Sequence, residues 1–294
     1  MLSLHYLKSD AVAAKRLAAQ MNIACHAIKI HQFPDGESKI QVEPSKGTAI
    51  VFASLNDPDR KLIHLAFAAS ALKDHGASRL VLVAPYLCYM RQDNAFHAGE
   101  AVSQRVIGTY LSIFFDRLVT VDPHLHRIDN LQDVFPDCQA DSLVATGPIS
   151  DVLQRDNDQG PRLLIGPDSE ARQWASAIAE KLDVPFIVGQ KIRFGDRSVN
   201  IELPHDAEIH GKHAIIVDDV ISSGRTIIRC AKALLSEGAS SVEVIVTHIV
   251  CSDAELEMIL NAGVSRVRSS DSVQHITNAI HLAPLLADAL KKEL

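Results

Sequence analysis

Ala71-Leu72-Lys73-Asp74-His75-Gly76-Ala77-Ser78, followed by Leu80-Val81-Leu82-Val83, returns 162 residues later, from 71 to 233, as Ala233-Leu234-Leu235-Ser236-Glu237-Gly238-Ala239-Ser240, followed by Val242-Glu243-Val244-Ile245-Val246. Each copy reads as the end of an amphipathic helix, a glycine where a left-handed residue closes the helix, and then a buried strand. The strands ahead of those helices also correspond, Ala49-Ile50-Val51-Phe52 with Ala214-Ile215-Ile216-Val217. A helix–Gly–strand junction alone is common in α/β proteins. The extension into the preceding strand is what favours duplication of one unit.

Outward from this pair, short β-branched runs alternate with longer helix-period segments. Strands are expected near Ala49 to Ser54, Leu80 to Ala84, Leu118 to Val121, Leu163 to Ile165, Ala214 to Val217 and Val242 to Val246. Helices are expected near Lys61 to His75, Ser103 to Phe115, Glu170 to Leu182 and Thr226 to Glu237. Runs that are apolar on both faces and separated by helices imply a mostly parallel central sheet covered on both sides, a doubly wound α/β fold. The 294 residues exceed the usual size of one core, so about two domains are expected. We read residues 1–145 as the N-terminal copy and 146–294 as the C-terminal copy, with the polar, Gly- and Pro-bearing stretch Thr146 to Gly160 at the boundary.

Hydrophobic residues at 47% and charged residues at 22% exclude a disordered or collagenous chain. A formal charge of −7 argues against sequence-independent nucleic-acid binding, which needs a net basic face. No nucleic-acid partner is therefore expected, and any anionic ligand must be held by a local site. No apolar stretch reaches the roughly 20 residues of a membrane helix. Lys8, Asp10, Lys15 and Arg16 stand where a secretory leader would be apolar, so no membrane association and a cytoplasmic location are expected. The five cysteines, Cys25, Cys88, Cys138, Cys230 and Cys251, are scattered and form no C-x-x-C pair, which points to reduced, mostly buried thiols.

The two copies differ where ligands of open α/β sheets bind, at the carboxyl ends of strands. The second copy carries Asp218-Asp219 where the first has Ala53-Ser54, so the second is expected to have kept a site that the first has lost. From there Val220-Ile221-Ser222-Ser223-Gly224-Arg225-Thr226 leads into a helix. Backbone N–H groups at a helix start, with Gly permitting positive φ, make an anion nest to which Ser and Thr hydroxyls add donors. The carboxylates cannot bind phosphate directly but suit vicinal hydroxyls or a bridging Mg²⁺. A sugar phosphate satisfies both demands. A strand-end Asp followed by a Ser cap is ordinary; the acid pair together with Ser-Ser-Gly-x-Thr is not. The segment resembles the ribose-phosphate-binding loop of the phosphoribosyltransferase fold.

Phe33-Pro34-Asp35-Gly36-Glu37, Tyr89-Met90-Arg91-Gln92-Asp93, Asp122-Pro123-His124, Pro167-Asp168 and Lys191-Ile192-Arg193 occur in that order ahead of the Asp218 loop. Together they resemble the ribose-phosphate pyrophosphokinase family over essentially the whole chain, and the ordered set is far more specific than any member. The resemblance implies two duplicated phosphoribosyltransferase-like domains, matching the repeat. It also implies transfer of the β,γ-diphosphoryl group of ATP to the 1-hydroxyl of ribose 5-phosphate, giving phosphoribosyl pyrophosphate and AMP, with Mg²⁺ as cofactor and self-association as a dimer or hexamer.

Residue by residue, Phe33, Asp35, Gly36 and Glu37 match the family's ATP-binding turn, which alone would be a plain β-turn. Arg91 and Gln92 match its ATP contacts, and alone would be surface polar residues after a strand. His124 matches its metal-linked histidine and Asp168 its metal-binding aspartate. His124 with His126 also spells H-x-H, a weak zinc signal without further ligands. Lys191 and Arg193, at i and i+2, share a face of an extended segment and match the family's catalytic pair, with Arg193 also near ribose 5-phosphate; Gly189 and Gly195 bracket them and suggest flexibility. On spacing alone they would be a solvated edge strand. Asp218, Asp219, Ser222, Ser223, Gly224, Arg225 and Thr226 match the ribose 5-phosphate site.

The chain departs from the family's pattern at Glu170, Ala171 and Trp174, where a Gly pair and an Arg are usual, and at Ser222, where a third Asp is usual. A short, divergent member of the family accounts for these features. Two rivals stand beside it. A phosphoribosyltransferase explains Ser222 but leaves the ATP-like motifs without a role. A non-catalytic regulatory subunit leaves Lys191, Arg193, His124 and Asp168 without one.

Overall fold

The structure, a computed structural model, describes residues 2–125, 127–128, 130–156, 160–194 and 198–294. They form two compact units, one made of residues 1–144, 272–274 and 281–294, the other of 145–271 and 275–280.

The first unit runs β1 (Leu2–Tyr6), α1 (Ala11–Met21), β2 (Ala24–Ala27), β3 (Lys29–Gln32), β4 (Ser38–Gln41), β5 (Gly47–Phe52), α2 (Pro58–Asp74), β6 (Ala77–Val83), α3 (Ser103–Ser112), β7 (Arg117–Val121) and β8 (Gln139–Leu143). Six strands make a parallel sheet in the order β2-β1-β5-β6-β7-β8. β3 and β4 form a separate antiparallel hairpin. Ala49, Ile50 and Val51 are all fully buried, as a strand covered on both faces requires.

The second unit repeats this plan. Its elements are α4 (Thr146–Arg155), β9 (Arg162–Gly166), α5 (Arg172–Leu182), β10 (Phe186–Val188), β11 (Gln190–Phe194), β12 (Ser198–Glu202), β13 (His213–Ile221), α6 (Arg225–Ser236), β14 (Ser241–Ile249), α7 (Asp253–Asn261), β15 (Val264–Ser270) and β16 (Asn278–Ile280). The parallel sheet has the order β10-β9-β13-β14-β15-β16, and β11 pairs with β12 as an antiparallel hairpin. α8 (Ala283–Leu290) closes the chain and packs on α1, within the first unit. Strand for strand the two orders match, so the doubly wound, duplicated architecture expected from the repeat is the one observed. The reading of 1–145 and 146–294 as the two copies remains our proposal for the ancestry of the halves.

The repeat junctions explain themselves locally. In α6, Ile227, Cys230, Ala231 and Leu234 are buried at i, i+3, i+4 and i+7, one stripe facing the sheet. Gly76 and Gly238 follow the helix ends at φ +106° and +83°, a conformation in which a Cβ is costly. Two local expectations change. β13 runs to Ile221, four residues beyond Val217, because Val220 and Ile221 pair with His248 and Ile249 of an equally extended β14. The diacid thus lies inside a paired strand. The stretch read as a boundary begins with α4, where Pro148 falls in the first turn, in which its missing N–H costs nothing, and Ile149 and Leu153 are buried.

Candidate active site

At the carboxyl edge of the second unit's sheet, four charged side chains converge. Asp168 follows β9 and is 7% exposed; its Oδ1 accepts the backbone N–H groups of Glu170 at 2.9 Å and Ala171 at 3.3 Å. The turn therefore holds with Glu170 and Ala171 in place of the usual Gly pair, and Trp174 is buried on α5. The other oxygen of Asp168 pairs with the Lys191 ammonium, carried from β11. On the neighbouring strand Asp218 Oδ1 accepts the Asp219 N–H at 3.0 Å, and Asp219 is buried. Burial, then the charges of Asp219 and Asp168, push the Asp218 carboxyl well above the usual carboxylate range, against the pull of the Asp219 N–H and Lys191.

Gly189 precedes the hairpin, and a Cβ there would lie 2.8 Å from Ile201 Cγ2 and 2.9 Å from the Pro167 carbonyl oxygen. Close packing, not bending, accounts for this glycine. Arg193 lies two residues beyond Lys191 on β11, its backbone paired with Val199. Gly195, the other bracketing glycine, lies outside the described residues, as does His126, the second half of the H-x-H pair.

Ser222 and Ser223 join β13 to α6, and Gly224 sits before the first helical residue at φ +69°. Ser222 and Thr226 are half-buried, Ser223 and Arg225 exposed. The N–H groups of a helix start, three hydroxyls and a guanidinium thus share one loop.

The corresponding loop of the first unit is built differently. Counting on from the matched strands, Asp57-Pro58-Asp59-Arg60-Lys61 stands opposite Ser222-Ser223-Gly224-Arg225-Thr226. Pro58 has no N–H to offer, and Asp57 and Asp59 add negative charge. Lys61 fills the turn itself, donating to the Ser54 carbonyl at 2.7 Å and to Asn56 Oδ1 at 2.8 Å. Burial raises the nearby Asp10 carboxyl to about 6, although Lys61 opposes it. The importance of Lys61 was not read from the sequence; extending the repeat alignment by seven residues beyond Ser54 would have shown a lysine opposite Thr226.

The remaining singled-out residues belong to the first unit. Phe33, Asp35, Gly36 and Glu37 form the exposed tip of the β3–β4 hairpin. The Phe33 carbonyl accepts the Gly36 N–H at 3.0 Å, Asp35 Oδ1 accepts the Glu37 N–H at 3.1 Å, and Gly36 has φ +94°. Arg91 is exposed beyond the end of β6. Gln92 is fastened to the start of α3, accepting the Ser103 hydroxyl with its side chain and the Gln104 N–H with its carbonyl. His124 is half-buried beyond β7, two residues after Asp122, whose φ is +38°.

Among the described residues no group of three His, Cys, Asp or Glu side chains is arranged to hold a metal ion. The donor set still fits Mg²⁺ in its usual manner, since it prefers oxygen ligands, retains water and is shared with bound phosphates. The charges of Asp168 and Asp219 would repel a polyphosphate that arrived without a cation.

A doubly wound unit with a diacid and a glycine-turned loop at its sheet edge places the chain in the phosphoribosyltransferase class: residues 148–284 match the phosphoribosyl transferase domain family. Residues 2–113 match the N-terminal domain of ribose phosphate pyrophosphokinase. Ribose-phosphate pyrophosphokinase from Methanobrevibacter smithii is 31% identical over 95% of this chain and 96% of its own. That of Methanothermobacter thermautotrophicus is 33% identical over 90% of this chain and 91% of its own. The crystal structure of phosphoribosylpyrophosphate synthetase from Mycobacterium smegmatis superposes with a TM-score of 0.84 at 26% identity, covering 99% of this chain and 97% of that one. The chain belongs to the ribose-phosphate pyrophosphokinase family, which consists of transferases. No helix among the described residues is long and apolar enough to cross a membrane.

Proposed function

We propose that this chain transfers the β,γ-diphosphoryl group of ATP to the 1-hydroxyl of ribose 5-phosphate, forming phosphoribosyl pyrophosphate and AMP. The observation that carries the reading is the Asp168–Lys191 pair beside Asp218 and Asp219, next to an anion-accepting loop, in a member of this family. In this reading the ribose hydroxyls, or a metal near them, lie on Asp218 and Asp219. The 5-phosphate lies in the loop Ser222 to Thr226, with Arg193 nearby. ATP is received by Phe33, Asp35, Gly36, Glu37, Arg91 and Gln92.

The ribose 1-oxygen attacks the β-phosphorus, the bond from that phosphorus to the α,β-bridging oxygen breaks, AMP leaves, and the hydroxyl proton passes to solvent. Lys191 and Arg193 offset the negative charge that gathers on the transferred group, so the chain acts through position and electrostatics. Mg²⁺, when bound with ATP, supplies charge neutralisation at the phosphates, and His124 and Asp168 are the residues that would hold it. Self-association as a dimer or hexamer and a cytoplasmic location complete the proposal.

Incubation with ATP, Mg²⁺ and ribose 5-phosphate should yield AMP without ADP, in step with phosphoribosyl pyrophosphate. A phosphoribosyltransferase would instead consume phosphoribosyl pyrophosphate with a free base and leave ATP untouched, and a regulatory subunit would do neither.

A further inference from the structure

Gly224 is the one residue of the Ser222–Thr226 loop that is buried, and what it is buried against lies on another helix. A Cβ at Gly224 would lie 2.7 Å from Ile259 Cδ1 and 2.8 Å from its Cγ1. Those distances are shorter than any real contact, so the absence of a side chain lets α7 reach the loop backbone. Ile259 is fully buried in the core, where Leu256 of the same helix packs partly buried against the same cluster. In the first unit, the residue just before the matching helix is Asp57, left-handed like Gly224 at φ +48° but carrying a side chain.

α7 is itself firmly set at its start. Ser252 and Glu255 form a reciprocal capping box, with Glu255 Oε2 accepting the Ser252 N–H and hydroxyl, each at 2.8 Å. The fixed Glu255 carboxylate is close enough for the Arg225 charge to act on it. α7 thus meets the loop by packing under Gly224, and its capped start carries a carboxylate that feels the Arg225 charge.

We infer that Ile259 is a positioning residue for the sugar phosphate: by seating under Gly224 it sets the height and rigidity of the loop amides that receive the 5-phosphate. The inference rests on the reading of residues 222–226 as that cradle. Donors aimed at an anion lose effect when they shift by fractions of an ångström, and a loop held only by its two ends does not hold such a position. Ile259 touches neither substrate nor reacting atoms. Its action should therefore be on ribose 5-phosphate binding rather than on the chemical step.

The test compares the parent with Ile259→Ala and Ile259→Val by local amide hydrogen exchange and by steady-state kinetics. In Ile259→Ala, exchange at residues 223–227 should rise by about tenfold or more while the β14 amides keep their protection. KM for ribose 5-phosphate should rise by roughly five- to tenfold, with kcat and the KM for ATP within about twofold of the parent. Ile259→Val, which loses Cδ1 but keeps a γ-carbon under Gly224, should bring both measures part of the way back toward the parent's. Exchange that rises equally throughout the second unit, or does not rise at 223–227 in either variant, overturns the inference, as does a loss confined to kcat. If the parent itself turns over no ribose 5-phosphate, the functional reading falls, while the exchange at 223–227 still decides whether Ile259 braces the loop.

Discussion

Lys61 donates its ammonium to the Ser54 carbonyl oxygen at 2.7 Å, so the first unit ties down with its own cation the turn that follows β5. The two units share one strand order, and the first of them has a lysine in its sheet-edge turn. The same side chain bonds Asn56 and faces the buried Asp10.

This arrangement predicts one ribose 5-phosphate site per chain. Calorimetric titration should give a stoichiometry near one, with binding weakened in Asp218→Ala and hardly changed in Ser54→Ala. Two equivalent sites would contradict the account. Lys61→Ala should lower stability by about 1 kcal/mol, because the Ser54 carbonyl and Asn56 lose a half-buried donor, and thermal denaturation measures it.

Lys191→Ala should reduce turnover by roughly 10²-fold or more with far smaller changes in substrate binding, the pattern of a cation that acts mainly in the transition state. Single-turnover kinetics separate the two. Activity equal to the parent's would remove Lys191 from the mechanism, whatever its pairing with Asp168.

Ser222 stands where a carboxylate is usual in the family, and its half-buried position at the end of β13 keeps it close to the helix start. Ser222→Asp brings a negative charge toward a dianion, so a modestly raised KM for ribose 5-phosphate is expected with the reaction unchanged. Markedly tighter binding in the variant would show that the phosphate lies elsewhere.

On the second unit's sheet, Glu243 is 1% exposed and meets Arg266 at 3.0 Å, His213 at 3.4 Å and Arg268, which in turn reaches Asp156 at 2.6 Å. Burial pushes the Glu243 carboxyl up, but His213, Arg266 and Arg268 outweigh it and hold it below the usual range. A carboxylate with a depressed folded pKa stabilises fully above its unfolded pKa, and that contribution fades as pH falls through the lower folded value. Glu243→Gln should therefore cost roughly 3–5 kcal/mol near neutrality, since it strands buried arginine charge. The gap in Tm between parent and variant should narrow below about pH 4. A gap that widens on acidification would refute the assignment.

Read alone, the sequence determined the repeat, the parallel α/β character and the place of the diacid directly after the second copy's matched strand run. These follow from local rules: Gly76 and Gly238 must close helices, and runs such as Ile215 to Val217 must be covered on both faces. It also distinguished the two copies, because Ala53-Ser54 and Asp218-Asp219 differ in charge whatever the fold does with them. Tertiary structure decided the rest. β13 extends to Ile221 only because β14 continues alongside it, and α4 forms in a stretch whose Gly147 and Pro148 read as a break because Ile149 and Leu153 find a core. The Lys191 ammonium meets Asp168, Lys61 reaches back to Ser54, and Ile259 seats under Gly224 across 23, 7 and 35 residues of chain respectively. Periodicity and turn chemistry act between near neighbours along the chain; which distant side chains share a pocket depends on how strands order in the sheet and which helix crosses them, and that is fixed only when the whole core packs.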